Sequence, residues 1–113
     1  MVNIEFLKLP NAKCPAEDFL DGLDDKDLAK IFKLVEWLKT EGSLSFPHAR
    51  KLEGHKSLWE LRIKSQGKAI RIFYIYWKKD NIVLISGFLK KSQKTPKREI
   101  AKAINYLRQT GIS

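Results

Sequence analysis

The sequence predicts an α+β fold, an antiparallel-rich sheet flanked by helices in the order β-α-α-β-β-β-α, forming a single domain over residues 1–113. Three observations predict it. Runs such as "VNIEFLKL" and "AIRIFYIYW" alternate apolar and polar residues or stay apolar at strand length. The segment "DDKDLAKIFKLVEWLKTEG" instead repeats its apolar residues at helical spacing. The short polar pieces "SQGK" and "KKDN" separate three strand-like runs in the manner of hairpin turns.

Each element has its own reason. Residues 2–9 alternate Val2, Ile4 and Phe6 against Asn3 and Glu5, and Pro10 breaks the run. "PAEDFLDGL" (15–23) places Pro15 at a first helical position with acids in the first turn. The next helix takes an aspartate at 24 or 25 as its cap, presents Leu28, Ile31, Phe32, Val35 and Leu38 as a core stripe that Trp37 widens, and stops at Gly42. Residues 43–56 read as a connection. Strands follow at Leu58–Lys64, Ala69–Trp77 and Ile82–Leu89. The last helix runs from about Pro96 to Gln109, with Thr95 as its cap, Pro96 at N1 and a stripe of Ile100, Ala103, Ile104 and Leu107.

Composition narrows the function. The chain has 113 residues, 43% hydrophobic and 31% charged, as expected of a folded globular protein. The opening "MVNIEFLKLPNAK" lacks a basic segment followed by an unbroken apolar one, and no apolar run reaches bilayer-spanning length, so a cytoplasmic protein is expected. Cys14 is the single cysteine, which excludes an intrachain disulfide, and neither a metal site nor a cofactor is expected. The net charge is +9, and it is unevenly placed: residues 1–41 carry 6 Lys/Arg and 9 Asp/Glu, whereas residues 42–113 carry 16 and 4. A basic second half favours a polyanionic partner.

The first hairpin can be registered from its turn. A loop at Gln66-Gly67 sets Arg62 opposite Arg71, with Leu61, Ile63, Ile70, Ile72 and Tyr74 on the core face. Glu60, Arg62, Lys64 and Arg71 share the other face, off the core. Like charges directly opposed weaken a sheet by tenths of a kcal/mol. An anion between two guanidinium forks accounts for the choice, and so does a bridge from Glu60 to one arginine. In the second hairpin a two-residue loop aims Ser86, Phe88 and Lys90 at the same face, and a three-residue loop substitutes Lys91. Phe73 and Phe88 either stack on bases there or pack under a helix. Lys94, Lys97 and Arg98 crowd the start of the last helix, where unpaired N–H groups already attract anions. His55 and Lys56 approach from the other end of the face. The residues alone thus describe a basic surface for a phosphodiester.

"LWELRIKSQGKAIRIFYIYW" and "ISGFLKKSQKTPKREIAKA" resemble the toxins of type II toxin–antitoxin modules in the RelE/ParE superfamily, in particular the HigB-like, phage-derived Gp49-like branch. The carrying motifs are "LWELR", "RIFY" and F-x-K-K-x-x-K-T-P-x-x-E-I at Phe88–Ile100. The resemblance implies a RelE-like fold and a ribosome-dependent mRNA endonuclease that uses the message's own 2′-OH as nucleophile, without a metal. It implies Arg62 and Arg71 on the scissile phosphate, and charge stabilisation or backbone contacts by Lys90, Lys91 and Lys94. The basic face itself makes His55, Lys56, Lys64, Phe88, Lys94, Lys97 and Arg98 the candidate RNA contacts, and leaves acid–base chemistry to His55 or to a lysine of lowered pKa. The implied partners are the ribosome, mRNA and a cognate antitoxin of the HigA, Xre-type helix-turn-helix kind. The tyrosine or histidine that many RelE-like nucleases carry near the end of the last core strand is missing from "FLKKSQK". A gyrase inhibitor of the ParE kind and a non-catalytic nucleic-acid-binding module are the alternatives on the same fold.

Overall fold

The computed structural model describes residues 2–55, 57–91 and 94–112. Its elements are β1 (Asn3–Phe6), α1 (Pro15–Asp21), α2 (Asp25–Glu41), β2 (Ala49–Lys51), β3 (Trp59–Ser65), β4 (Lys68–Tyr76), β5 (Asn81–Lys90) and α3 (Lys97–Thr110). The five strands form one sheet in the order β1-β5-β4-β3-β2. β1 lies parallel to β5 and the other neighbours are antiparallel. None of the described helices is long and apolar enough to cross a membrane.

The expected α+β architecture is present, with one strand more than the sequence announced. The connection at 43–56 contains β2, whose three residues pair with β3 as Ala49↔Leu61, Arg50↔Glu60 and Lys51↔Trp59. A strand this short carries no period of its own; its partner defines it.

Both faces of the sheet are covered. Ala16 and Leu20 of α1 and Ile31 and Leu38 of α2 pack on Leu61, Ile63, Ile70, Ile72, Tyr74, Ile82 and Leu84. On the opposite face Ile100 and Ala103 of α3 pack with Phe73, Ile75, Val83, Ile85 and Phe88. α2 begins at Asp24, whose carboxylate accepts the Asp27 N–H at 2.9 Å, and ends at Gly42 in the left-handed conformation (φ 82°). Its buried stripe is narrower than expected: Phe32 and Trp37 are about half exposed, because the sheet meets the side of α2 that carries Ile31, Leu34, Val35 and Leu38.

The first hairpin has the expected register, Arg62↔Arg71 included, around a two-residue turn in which Gln66 and Gly67 both have positive φ. The second is less simple. Trp77 N–H donates to the Asn81 carbonyl, closing a three-residue loop of Lys78, Lys79 and Asp80. A bulge between Phe73 and Tyr74 then shifts the pairing by one, so that Arg71 faces Phe88 and Ala69 faces Lys90. The extra loop residue would by itself bring Lys91 to the basic face; the bulge restores Lys90.

Candidate functional site

The site begins with Glu60, a carboxylate with no exposed surface near the start of β3. A buried carboxylate is costly unless it is paired and hydrogen-bonded. Glu60 has four neighbours that meet this need. Arg62, two residues along the same strand face, donates Nη1 to Oε1 at 3.3 Å. Arg50, brought opposite by β2, donates Nη2 to Oε1 at 3.4 Å. Thr95 donates its hydroxyl to Oε2 at 2.7 Å and accepts Arg50 Nη2 at 3.2 Å. Arg71, across the hairpin, holds Nε 3.8 Å from Oε1.

Thr95 therefore does not cap α3, as its position before Pro96 implied. The N-cap is Pro96, with no side-chain cap, and the threonine hydroxyl is spent on Glu60 instead. The reason is competition: Glu60 takes the hydroxyl proton, and Arg50 Nη2 donates to the oxygen that a cap would offer to a backbone N–H. The α3 start is thereby tied to β3.

Arg71 is only 4% exposed, so the expectation that it stands off the core is not met. Nη1 donates to the Ile70 carbonyl at 3.0 Å, while Nε has no hydrogen-bond partner. Burial first, then the charge of Arg62, holds its guanidinium below the usual arginine value, with Glu60 pulling the other way. Arg62 is more open, with 19% of its side chain exposed. Its Nε donates to the Pro47 carbonyl at 3.2 Å, and its guanidinium lies 5.1 Å over the Phe46 ring. Lys90 closes the group from the end of β5. Its ammonium is pushed below the usual lysine value by burial, and then by Arg71, Arg62 and Arg50, against the favourable charge of Glu60.

Four cations thus surround one carboxylate. Glu60 does bridge the arginines, but it cannot neutralise them, and the surplus is what an incoming anion would meet. Guanidinium forks suit a phosphate, since each can donate two parallel N–H bonds.

The remaining sequence-predicted residues divide. His55, Lys94 and Lys97 line a cleft of about 530 Å³ with Arg50, Lys51 and Thr95, which adjoins the Glu60 cluster through Arg50 and Thr95. Lys64 is exposed at the hairpin end of β3, and its carbonyl accepts Lys30 Nζ at 3.4 Å. Lys91 is exposed just past β5. Arg98 is directed to solvent beside Glu99. Phe88 is 7% exposed and packs 5.3 Å from Phe73 under α3, so neither ring offers a stacking surface, and packing is the outcome for both. Lys56 lies outside the described residues. Among the described residues, no three His, Cys, Asp or Glu side chains are grouped to hold a metal ion.

Sequence reasoning did not single out Arg50, took Thr95 only as a helix cap, and took Glu60 only as a bridge to one arginine. Arg50 depends on β2, which the sequence concealed. The signal for Glu60 was present: an acid between strand positions aimed at a basic face has few partners other than those bases.

Comparison with known families matches residues 18–108 to the family described as Phage derived protein Gp49-like (DUF891). The matched span contains β2 to β5 and every residue of the Glu60 cluster. No curated protein matches the chain.

Proposed function

The chain belongs to the phage-derived Gp49-like family, a toxin-like module within the RelE/ParE-like toxin superfamily, and on that premise we propose that it is a HigB-like, ribosome-dependent mRNA endonuclease. A family of this kind implies an antitoxin partner; in this reading the partner is an Xre-type helix-turn-helix protein of the HigA kind, and both act in the cytoplasm. The observation that carries the proposal is the surplus of guanidinium and ammonium charge around buried Glu60.

The chemistry follows from the placement. The 2′-oxygen of the message attacks the adjacent phosphorus and the bond to the 5′-oxygen breaks, leaving a cyclic 2′,3′-phosphate and a 5′-hydroxyl. Negative charge grows on the non-bridging oxygens as the five-coordinate state forms. Arg62, Arg71 and Arg50, already fixed by Glu60, meet that charge without having to reorganise. Lys90, its ammonium made more acidic by its surroundings, donates the proton that the departing 5′-oxygen needs. His55, on the wall of the adjoining cleft, takes the proton of the attacking 2′-hydroxyl.

Primer extension on translated messages after induction tests this. Cuts within codons at the ribosomal A site are expected, and Arg62→Ala and Lys90→Met abolish them. Growth arrest without cuts overturns the nuclease reading, and an SOS response with altered supercoiling assigns the chain to gyrase inhibition instead.

A further inference from the structure

A second surface adjoins the Glu60 cluster, and Arg62 is the hinge between them. Phe46 is 66% exposed, the most open of the large apolar side chains, and one face of its ring is covered by the Arg62 guanidinium. Trp37 is 45% exposed and its ring meets that of His48 edge-on at 4.8 Å. Between α2 and the end of β3, Trp37 and His48 border a cleft of about 400 Å³ lined also by Lys30, Lys33, Arg62 and Lys64; Phe46 is not in its lining and meets it through the Arg62 guanidinium. No acid lines it. Exposed rings interleaved with cations are costly to leave in water and are the composition that single-stranded nucleic acid meets: π-faces for bases, positive charge for the backbone.

We propose that this cleft and the Phe46 ring beside Arg62 form a base-binding subsite, in which Trp37 and Phe46 each stack a base of the nucleotides flanking the phosphate held by Arg62. The proposal rests on the phosphate-binding reading of the Glu60 cluster and extends it from the backbone to the bases. Three observations carry it: the aromatic exposure, the one-signed charge of the lining, and the continuity through Arg62, which touches Glu60 with Nη1 and covers Phe46 with its plane. Arg62 is held in this position by the Pro47 carbonyl, which accepts its Nε, by Glu60 and by the Phe46 ring.

The test compares two uncleavable 2′-deoxy strands of equal phosphate count, one with bases and one with abasic sugars throughout, binding to the purified chain. The wild-type protein binds the base-bearing strand more tightly, by about five- to 150-fold for each base stacked. Phe46→Ala and Trp37→Ala each shrink that ratio, and Phe46→Trp keeps it. Both positions are exposed, and far-ultraviolet circular dichroism checks that the variants fold. An unchanged ratio in both alanine variants overturns the subsite and leaves the phosphate site standing. Equal wild-type affinity for the two strands does the same. Failure of the wild-type chain to bind either strand overturns the phosphate reading and the subsite with it. Variants that lose antitoxin capture but keep the strand ratio assign the rings to protein docking, which also overturns the subsite.

Discussion

Arg71 has the least comfortable position of any side chain near the site: nearly buried, beside Arg62, with Nε unpartnered and only a 3.8 Å approach to Glu60. Its lowered pKa means that folding disfavours the charge it carries at neutral pH. Replacing a poorly compensated buried charge with an apolar side chain of similar length commonly stabilises a protein. Arg71→Met is therefore expected to raise the thermal midpoint by a few degrees while abolishing RNA cleavage, and a lower midpoint would mean that the arginine is mainly structural. Glu60→Gln acts in the opposite sense. It leaves three guanidiniums without their counter-charge, and loss of one partner from a buried ion pair costs about 3–5 kcal/mol. Its urea midpoint falls, and a single-stranded oligonucleotide restores part of the loss. At this scale the sequence was half legible. Parity alone put Arg62, Arg71 and Lys90 on one face, but it could not report that Arg71 is buried, because burial depends on where α3 and β2 come to lie.

The elements depend on a few close contacts. Phe19 of α1 lies against Gly87 of β5 so tightly that an added Cβ would sit 2.3 Å from the ring. Gly87→Ala must displace α1, and a loss of about 1–3 kcal/mol in urea unfolding is expected. The start of α2 is tied to the first hairpin by Asp27, whose buried carboxylate pairs with Lys68 and accepts from Ser65 at 2.6 Å and Gln66 at 2.9 Å. The Lys68 contact, then Ser65 and Gln66, hold its pKa well below the usual carboxylate range; Asp24 is lowered as well, first by Gln66. A carboxyl depressed by folding stabilises the fold above its unfolded pKa and loses that contribution as pH falls through and below about 4. Urea midpoints measured from neutral to acid pH will fall steeply for the wild-type chain. Asp27→Asn starts lower and falls less, and parallel curves would exclude Asp27 as a source of the acid sensitivity. The sequence revealed the long helix and the first hairpin because a 3.6 period and a Gln-Gly turn are local signals. It concealed β2, which only the pairing with β3 defines, and misplaced the α3 cap, whose hydroxyl is engaged by Glu60 from 35 residues away.

Across the molecule, the basic second half of the chain is the half that builds β2 to β5 and α3, and four of its cations, Arg50, Arg62, Arg71 and Lys90, are gathered about Glu60. Binding driven by such a region releases counterions from the strand, and affinity falls with salt. Arg50→Ala is expected to flatten the logarithmic salt slope for an uncleavable strand by about 0.7–1, as one phosphate contact requires. An unchanged slope removes Arg50 from the backbone contacts. The fold class was legible throughout because it rests on many residues at once. The chemistry rests on five, and of those Arg50 entered only with the structure.

The second hairpin can be thought of as a reading frame. One residue is inserted at its turn, and one further along β5 cancels the insertion before the strand reaches Arg71. Ile85 stands unpaired at the bulge, as Lys79 stands unpaired in the loop, so removing either leaves Phe73 opposite Ser86 and Lys90 opposite Ala69. A residue inserted or deleted between Ser86 and Lys90, inside the paired stretch, is the frameshift in space: every side chain beyond it changes face, and Lys90 leaves the basic surface. Length changes in this hairpin are therefore tolerable at its two unread positions and not between the bulge and the lysines.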